Sequence, residues 1–380
     1  MIKCNVCNGI LSNKVYDMMG STSITSVCTM AECPTEVYYC NNCGHVQTLE
    51  MPDEHSYYDK SYNLLLESEE EDQIYLIENN EPLYRTQFQV NILLSKLDLS
   101  DDTRILDYGC GKSSTVRELS RQDISITPYL FDISERYTSY WKEFVDEENY
   151  ATYQLPERWS NHFHVVTSFF SLEHISKLNE TLQDIRRVLV EGGILYAIIP
   201  NTLTNPADLI VVDHPNHFTY ASLEKLLFNN GFAVQEIDDI SHRGAYIVIA
   251  KKTASVRSPQ QLSINLEKEI TAIAAFWKCA AIRVREFEES VAGKPSAIYG
   301  AGFYGSFLAS NLKYFESVNY FIDQNPFLQG TLLIDRPIIS PADLPNDIDV
   351  LYVALNPKHS KKIIKDVKCF LEKSLSYFYI

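Results

Sequence analysis

Short apolar runs and amphipathic stretches alternate along most of the chain. Residues 81–99 carry apolar positions at helical spacing, with Pro82 suited to a first turn. Helices are also predicted at 178–193 and 222–230, each closed by glycine. Strands that alternate with such helices predict a parallel α/β sheet. The predicted strands are the apolar runs 104–108, 125–132, 164–170, 193–201, 232–240 and 245–252.

The same order of elements begins again further along the chain. Residues 253–263 are polar and turn-rich, which indicates a linker, and a long helix is predicted from about Asn265 to Val291. A strand, a glycine turn and a helix follow within 296–312, and further apolar runs lead to a predicted terminal helix. We therefore expect a second, smaller α/β domain over 294–380.

Length and charge narrow the class of protein. At about 150 residues per domain, 380 residues predict two or three domains. The 33 basic and 50 acidic side chains give a net charge of −17, which argues against duplex nucleic acid or an anionic membrane as the main partner. The sequence has neither the apolar stretch of a secretory signal nor a run long enough to cross a bilayer. A cytoplasmic protein is expected.

Six of the nine cysteines lie in the first 43 residues. Four of the six form two C-x-x-C pairs separated by 32 residues, Cys4 with Cys7 and Cys40 with Cys43. Two such turns supply four thiolates for a tetrahedral site, the usual geometry of structural zinc. The sequence therefore predicts a zinc-binding module over 1–55. Cys28 and Cys33 are less regularly spaced, and we expect them to be small core or surface residues.

The strand that ends at Asp107 leads into a glycine turn with Gly109 and Gly111. The following Gly-Lys-Ser does not make a P-loop, because a P-loop needs glycine at position 106, which is leucine. A short loop beside an acid favours a neutral or cationic nucleoside over a phosphate. Asp132 ends the next strand, 25 positions after Asp107, and a carboxylate there can accept hydrogen bonds from both ribose hydroxyls.

A second glycine loop, G-x-G-x-x-G at 300–305, lies between a predicted strand and a helix, and Asp323 follows 18 positions after it. This pattern is typical of dinucleotide binding, so an NAD site is one interpretation. The loop could instead hold the diphosphate of a nucleotide-linked substrate at its helix N-terminus. Gly302 and Asp323 are therefore candidate substrate-binding residues.

Four segments resemble the class I S-adenosylmethionine-dependent methyltransferases: LDYGCG at 106–111, FDIS at 131–134, SLEHI at 171–175 and RRVLVEGGILYAIIPN at 186–201. The resemblance covers about residues 80–252 and implies a Rossmann-like sheet with a cofactor pocket. Asp132 would hold the ribose, and Ser168 and Phe169 would lie near the transferable methyl group. The cofactor-binding residues that it implies are Asp107, Tyr108, Gly109, Gly111, Asp132, Ile133, Ser168 and Phe169.

The order of predicted domains resembles the sugar C-methyltransferases. It consists of a C-x-x-C module at 1–55, a methyltransferase domain at 56–253, a linker and long helix at 254–293, and a glycine-loop α/β domain at 294–380. The segments CNNCGHVQT at 40–48, DQNPFLQG at 323–330 and RPIISPADL at 336–344 extend the resemblance over nearly the whole chain. It implies S-adenosylmethionine, structural zinc and a nucleotide-linked keto-deoxysugar as substrate.

The resemblance also implies residues on the substrate side. The family has a histidine after its fourth strand, matched by His174, and a Y-x-E-H-x-x-Y segment after its fifth, matched by 214–220. His217 and Tyr220 agree with that segment. His214 and Asn216 replace its first tyrosine and its glutamate, so they are substrate-side candidates that leave the acceptor atom and the sugar open.

Two further positions belong to the substrate side. The family supplies a tyrosine after its zinc module, for which Tyr58 and Tyr62 are the candidates here, with Tyr62 preferred. The family's Gly-Gly-Ser near the last strand pair is Arg243, Gly244 and Ala245 in this chain.

Methylation of a carbon next to a ketone requires that a proton leaves first. A histidine with a pKa near neutrality is a suitable base, and His217 is predicted to be that base. His174 or Tyr220 would donate to the enolate oxygen. His217 could equally deprotonate a hydroxyl, so O- or N-methylation of a small molecule stays open. Other open classes are a nicotinamide oxidoreductase, an RNA methyltransferase disfavoured by the charge, and a non-catalytic binding protein.

Overall fold

The structure is a computed structural model that describes residues 2–18, 22–53, 56–58, 62, 72–78, 81–100, 102–122, 124–256, 258–259, 262–371 and 373–380. Most of the segment 59–71 and residues 257, 260 and 261 of the predicted linker lie outside this part of the chain.

The strands are β1 (Asn13–Asp17), β2 (Ser23–Ile24), β3 (Met30–Ala31), β4 (Glu36–Tyr39), β5 (Val46–Thr48), β6 (Ile74–Glu78), β7 (Glu81–Tyr84), β8 (Thr103–Tyr108), β9 (Ile126–Asp132), β10 (Tyr150–Thr152), β11 (Phe163–Phe169), β12 (Leu189–Pro200), β13 (Asn216–His217), β14 (Phe232–Asp238), β15 (Ala245–Lys252), β16 (Ser296–Tyr299), β17 (Val318–Ile322), β18 (Leu332–Leu333), β19 (Arg336–Ile339), β20 (Val350–Val353) and β21 (Ser376–Tyr379). The helices are α1 (Arg85–Lys96), α2 (Ser114–Ser120), α3 (Thr138–Trp141), α4 (Leu178–Val188), α5 (Tyr220–Asn229), α6 (Leu266–Ser290), α7 (Phe303–Asn311), α8 (Ser360–Asp366) and α9 (Lys368–Leu371).

Seven strands form the central sheet, in the order β10-β9-β8-β11-β12-β15-β14. The first five are parallel, and β15 pairs antiparallel with both β12 and β14. The register places Asp107 of β8 opposite Thr167 of β11 and Leu130 of β9. Parallel neighbours need crossover connections, and α2 and α4 supply two of them. The predicted α/β fold with a class I methyltransferase sheet is confirmed.

The central strands are continuous apolar runs because both of their faces are covered. Leu106 and Val166 are fully buried on neighbouring strands, in the same core as the apolar stripe of α4, which includes Leu182 and Ile185. Complete burial of one such side chain contributes roughly 1.5–3 kcal/mol. This packing fixes the strand ends on which the candidate site is built.

Three predicted elements differ from the observed ones. Pro82 lies in β7, which pairs with β6 in a hairpin, so α1 begins only at Arg85. Helix α4 ends at Val188, ahead of the Gly-Gly pair, because Leu189 is already extended and begins β12. The chain continues after its last helix into β21, which pairs with β20. In each case a strand partner overrides the local pattern.

A second, smaller sheet has the strand order β1-β4-β5-β13. The second C-x-x-C pair lies in the turn between β4 and β5. Strand β13 comes from the segment after β12 and pairs antiparallel with β5, so that His217 lies opposite Val46 and Asn216 opposite Gln47. Strand β5 of the cysteine-rich segment is therefore the hydrogen-bonded neighbour of the strand that carries His217.

The chain divides into two compact units. The first comprises Met1–Val15, Glu36–Leu209 and Asp213–Ile270, and the second comprises Tyr16–Thr35, Ile210–Val212 and Thr271–Ile380. The two C-x-x-C pairs and the central sheet thus belong to one unit, whereas Cys28 and Cys33 belong to the other. The second unit contains a six-stranded sheet in the order β18-β19-β17-β16-β20-β21. Within the described residues, no helix has both the length and the apolar composition needed to span a bilayer.

Candidate active site

The loop after β8 is held by the carboxylate of Asp107. One oxygen accepts the hydroxyl of Ser113 at 2.7 Å and the other accepts that of Thr167 at 3.0 Å. Burial raises the pKa of Asp107 to about 6, although these two hydrogen bonds oppose the shift. The carboxylate therefore serves first to fix the glycine turn against β11.

Asp132 at the end of β9 closes the loop from the other side. It accepts the backbone N–H of Gly111 at 2.8 Å and that of Ser134 at 3.1 Å. Burial raises its pKa to about 6 as well, against the pull of these backbone donors. A carboxylate offers about four acceptor positions, so two remain for the hydroxyls of a ribose.

Gly109 has φ +68°, and a Cβ there would overlap with the hydroxyl oxygen of Ser171. Only glycine allows this turn to approach the segment after β11 so closely. Beyond Asp132, the side chain of Ile133 is 44% exposed and offers an apolar surface next to the proposed ribose position. Tyr108 packs in the core, with its ring 4.9 Å from that of Phe131.

Ser168 and Phe169 end β11, as predicted. Ser168 is buried, and its hydroxyl has no hydrogen-bond partner among the described residues. An unpaired buried hydroxyl is costly, so it marks a position where a bound ligand gains a hydrogen bond.

Beyond the cofactor loop, three histidines and three carboxyl groups form a cluster. Asp208 bridges two of them, with one oxygen 2.7 Å from Nδ1 of His214 and the other 3.1 Å from Nδ1 of His217. The hydroxyl of Thr202 also donates to Asp208, at 2.7 Å. All four side chains are buried, so Asp208 sets the orientation of both rings.

The third histidine, His174, follows β11 in the turn at 172–174. Its Nδ1 lies 2.9 Å from the carbonyl of Asp213 and 3.0 Å from the hydroxyl of Tyr58. Because a carbonyl only accepts, Nδ1 carries the proton and Nε2 keeps its lone pair. The ring meets that of His214 edge-on, with centroids 4.5 Å apart.

The environments of these two rings push their pKa values apart. Burial, together with the neighbouring His214, lowers the pKa of His174 to about 4. Burial also acts against a charged His214, but the hydrogen bond and charge of Asp208 outweigh it and raise the pKa to about 9. At neutral pH the pair therefore holds one neutral and one cationic imidazole, an arrangement typical of acid–base sites.

His217 is enclosed on both sides. Its Nδ1 faces Asp208 and its Nε2 lies 2.6 Å from the hydroxyl of Thr48, with no exposed surface. A base needs a free nitrogen within reach of substrate. The structure thus gives His217 the geometry of a positioning residue, whereas the sequence predicted it as the base.

Asn216 is equally enclosed. Its amide donates to the carbonyl of Ile175 at 2.8 Å and its oxygen accepts from Asn5 at 2.9 Å. These bonds connect the turn that carries His174 to the cysteine-rich segment. The Asn216 side chain therefore makes its hydrogen bonds within the protein interior.

The candidate tyrosines differ in position. The rings of Tyr58 and Tyr62 lie 5.5 Å and 5.4 Å from that of His174, and the Tyr58 hydroxyl accepts the Nδ1–H of His174 while it donates to the carbonyl of Asp213 at 2.7 Å. Tyr220 begins α5, is 41% exposed and has no ring contact or hydrogen bond to the three histidines in the described residues. The structure brings the first two tyrosines to the histidines and leaves the third apart.

The sequence pattern does not single out the acidic members of the cluster, which are Glu173, Asp208 and Asp213. Glu173 is buried, its pKa is raised to about 8 by burial, and one of its oxygens has no hydrogen-bond partner in the described chain. Asp208 lies only six and nine positions before its two histidines, but this spacing is not a recognised acid–histidine motif, so only the structure shows the contact.

The four predicted zinc ligands converge. Their sulfur atoms all lie within 4.8 Å of one another, with 3.6 Å between Cys4 and Cys43 and between Cys7 and Cys40. Four Zn–S bonds of about 2.3 Å in a tetrahedron place sulfurs about 3.8 Å apart, so the residues fit zinc. Gly44 has φ +72°, which allows the second turn to close.

In the second unit, the glycine loop makes a tight turn from β16 into α7. A Cβ at Gly300 or Gly305 would overlap with a backbone oxygen, whereas one at Gly302 would meet nothing within 4 Å. Asp323 accepts the backbone N–H of Ala301 at 2.9 Å. The Asp323 carboxylate already uses this loop N–H, and its negative charge would repel a phosphate bound there. Gly302 leaves room for another part of a ligand.

Comparison with known proteins agrees with this geometry. Residues 81–237 match a family model described as a methyltransferase domain. No curated protein matches the sequence.

Among solved structures, the chain is similar to an S-adenosylmethionine-dependent methyltransferase from Mesorhizobium loti, at 15% identity over 43% of this chain and 97% of that one, with a TM-score of 0.36. It is also similar to a methyltransferase of the same kind from Aquifex aeolicus, at 17% identity over 44% and 92% of the two chains, with a TM-score of 0.37. A third similar structure is the geranyl diphosphate C-methyltransferase of Streptomyces coelicolor, at 12% identity over 43% and 77%, with a TM-score of 0.36.

Residues 81–237, which include the glycine loop between Asp107 and Asp132 and most strands of the central sheet, therefore match a methyltransferase domain. The matched domain makes the protein an enzyme of the methyltransferase class.

Proposed function

We propose that the enzyme uses S-adenosylmethionine to methylate the carbon next to the ketone of a nucleotide-linked sugar, and that it contains structural zinc. The observation that carries the proposal is the facing pair His174 and His214 at the sheet edge that also bears the cofactor loop. Carbon methylation needs both a base and a donor for the enolate oxygen, and the neutral His174 and the cationic His214 suit these two roles. The resemblance of the domain order to the sugar C-methyltransferases supplies the substrate class.

The cofactor would be held by the loop Gly109–Gly111 and by Asp132, and it supplies an activated methyl group. The rest of the chemistry falls to the protein. The neutral Nε2 of His174 takes the proton from the carbon, and the cationic His214 donates to the oxygen as it becomes negative. That developing charge offsets the positive charge of His214, which removes one cause of the low pKa of His174 and makes it a stronger base.

The remaining polar residues hold this pair in place. Asp208 orients His214, and Tyr58 with the carbonyl of Asp213 orients His174. Zinc at the four cysteines would stabilise the segment that places the Thr48 hydroxyl against Nε2 of His217. The protein thus supplies alignment for in-line displacement as well as acid–base groups.

The test is incubation of the enzyme with S-adenosylmethionine and a panel of nucleotide-linked ketosugars, with the products measured by mass spectrometry. A mass gain of one methyl group on at least one ketosugar supports the proposal. If only hydroxyl or amine acceptors gain the methyl group, carbon methylation is wrong.

Deuterium exchange next to the ketone, without cofactor, isolates the base. His174→Gln should reduce the exchange rate by about 10²–10⁴-fold. His217→Gln is the matched comparison, and because His217 is enclosed it should retain more exchange than His174→Gln. Equal exchange in wild type and His174→Gln would remove the assignment, provided that both bind S-adenosylmethionine.

A further inference from the structure

We infer that Arg85 and Arg243, on either side of His242, form a subsite for the diphosphate of the substrate. The inference rests on the proposed function, because it places the anionic part of a nucleotide-linked sugar beside the reacting centre. In an acidic chain, such a substrate needs a local group of cations.

Both arginines lie at the sheet edge that carries the candidate active site. The turn after β14 is fastened beside the end of β12, where the N–H of Asn201 donates to the carbonyl of Gly244 at 3.0 Å. The guanidinium of Arg85 lies over the ring of Phe170, which directly follows β11, at 5.1 Å from its centroid. Arg85 is also close enough to Glu173 to influence its pKa, so this cluster adjoins the histidine pair.

An aromatic stack carries the other arginine. Tyr75 and Phe88 stack with centroids 3.7 Å apart, and the guanidinium of Arg243 lies 5.4 Å from the ring of Tyr75. The Arg243 backbone N–H donates to the Tyr75 hydroxyl at 2.7 Å, and one terminal nitrogen donates to the Tyr75 carbonyl at 3.0 Å. The guanidinium is thus positioned in advance and keeps most of its five donors.

Among the residues that the structure describes, neither arginine forms an ion pair with an acid. In the part of the chain that the structure describes, no carboxylate lies within 4.0 Å of Arg85 or Arg243, and Arg85 donates only to Gln73, at 3.1 Å. Asp72 is near Arg85, but its oxygens accept backbone N–H groups of Gln73 and Thr86. Two guanidinium groups without an ion-pair partner in the described part of the chain are the donors that suit an oxyanion pair in a protein of net charge −17.

His242 lies between the two arginines. Its ring is 5.1 Å from that of Tyr75 and 5.6 Å from that of Phe170, and the side chain is 4% exposed. Burial and both arginines lower its pKa to about 4, so the ring is neutral. Its Nδ1 donates to the carbonyl of Arg243, and Nε2 has no partner among the described residues. A sugar hydroxyl is a donor that would satisfy Nε2.

Arg243 stands where the resembling family has glycine, so this part of the subsite is particular to the present chain. Two forks match two adjacent phosphates better than a single carboxylate. In a nucleotide-linked sugar the diphosphate is attached to the same ring as the ketone, which agrees with a subsite next to His174.

The test is isothermal titration calorimetry of the full-length, zinc-loaded protein with inorganic pyrophosphate. Arg85→Gln and Arg243→Gln should each weaken binding at least 10-fold, whereas Arg121→Gln, the loss of an exposed arginine directly after α2, should not change it. Arg243→Lys keeps the charge without the fork and should give an intermediate value. The inference is wrong if pyrophosphate does not bind, or if both glutamine variants bind it like wild type.

The same variants separate the inference from the proposed function. If ketosugars are methylated with unchanged KM in Arg85→Gln and Arg243→Gln, the subsite is wrong and the function stands. If the variants lose pyrophosphate binding but no nucleotide-linked ketosugar is methylated by wild type, the subsite stands and the proposed substrate is wrong.

Discussion

At the scale of single residues, the candidate active site depends on how one buried carboxylate is shared. Asp208 accepts from His214, His217 and Thr202, and the two histidines together lower its own pKa well below its usual range. The charge of Asp208 keeps His214 cationic, and burial together with that cation keeps His174 neutral. A change at Asp208 should therefore alter the charge states of residues that it does not touch.

Asp208→Asn should shift the alkaline limb of the pH–rate profile. In the wild type, methyl transfer should fall as the pH rises through about 9, where His214 loses its proton. Without the Asp208 carboxylate, nothing offsets the effect of burial, which lowers the pKa of His214. The alkaline limb should therefore move by at least one pH unit to lower pH. The measurement is single-turnover methyl transfer across pH 6–10, with Asp184→Asn, an exposed carboxylate, as the control. An unchanged limb in Asp208→Asn would contradict the charge assignment.

The same shift should appear in stability. The folded-state pKa of His214, about 9, is above its ordinary value of about 6.5. Its contribution to the free energy of unfolding is therefore full below pH 6.5 and is lost as the pH rises through about 9. Thermal unfolding of Asp208→Asn should lack the part of the alkaline decline in Tm that comes from His214.

Gly109→Ala should weaken binding of S-adenosylmethionine. Alanine at this position would have to adopt the left-handed φ of +68°, and its Cβ would overlap with Ser171. The loop must therefore move away from β11. Gly293→Ala has a similar φ of +74° but meets nothing within 4 Å, so it measures the backbone strain alone. Calorimetric affinity should fall at least 10-fold for the first variant and stay unchanged for the second. Equal affinities for both variants would show that the close approach is not needed.

At the scale of elements, the cysteine-rich segment is built into the candidate active site through strand pairing. Strand β5 pairs with β13, and Thr48 at the end of β5 meets His217. From the sequence, the zinc module was a separate domain at 1–55. In the structure its two C-x-x-C pairs share one compact unit with the central sheet, and Thr48 contacts His217 directly.

Removal of zinc should therefore impair methyl transfer more than cofactor binding. Cys40→Ser removes one thiolate beside β5, and we expect at least a 10-fold lower turnover, with affinity for S-adenosylmethionine within about threefold of wild type. Cys33→Ser, outside the four-cysteine cluster, is the matched control. Zinc content by mass spectrometry checks the premise. If Cys40→Ser loses zinc but keeps full turnover, the segment does not support the histidines.

At the scale of the whole molecule, the net charge of −17 decides between kinds of substrate. Nucleic acid binding draws most of its affinity from cations that neutralise phosphates along a surface. Here the two arginines proposed for the diphosphate form a local cluster of a size suited to a small anion.

The protein should therefore not bind RNA at physiological salt. A gel-shift titration with transfer RNA should show no complex at micromolar protein in 150 mM salt, where RNA-binding enzymes with basic surfaces form one. Arg85→Gln with Arg243→Gln should leave this result unchanged. A stable complex with RNA would favour the RNA methyltransferase that the sequence left open.

The sequence by itself determined the α/β sheet, the cofactor loop between Asp107 and Asp132, and the gathering of four cysteines. These follow from apolar periodicity and from short spacings, which are local properties of the chain. Only the tertiary structure decided how the histidines are enclosed and which of them face each other. His217 is enclosed by Thr48 and Asp208, and His174 faces His214, because segments distant in sequence meet there and set burial, hydrogen bonding and charge.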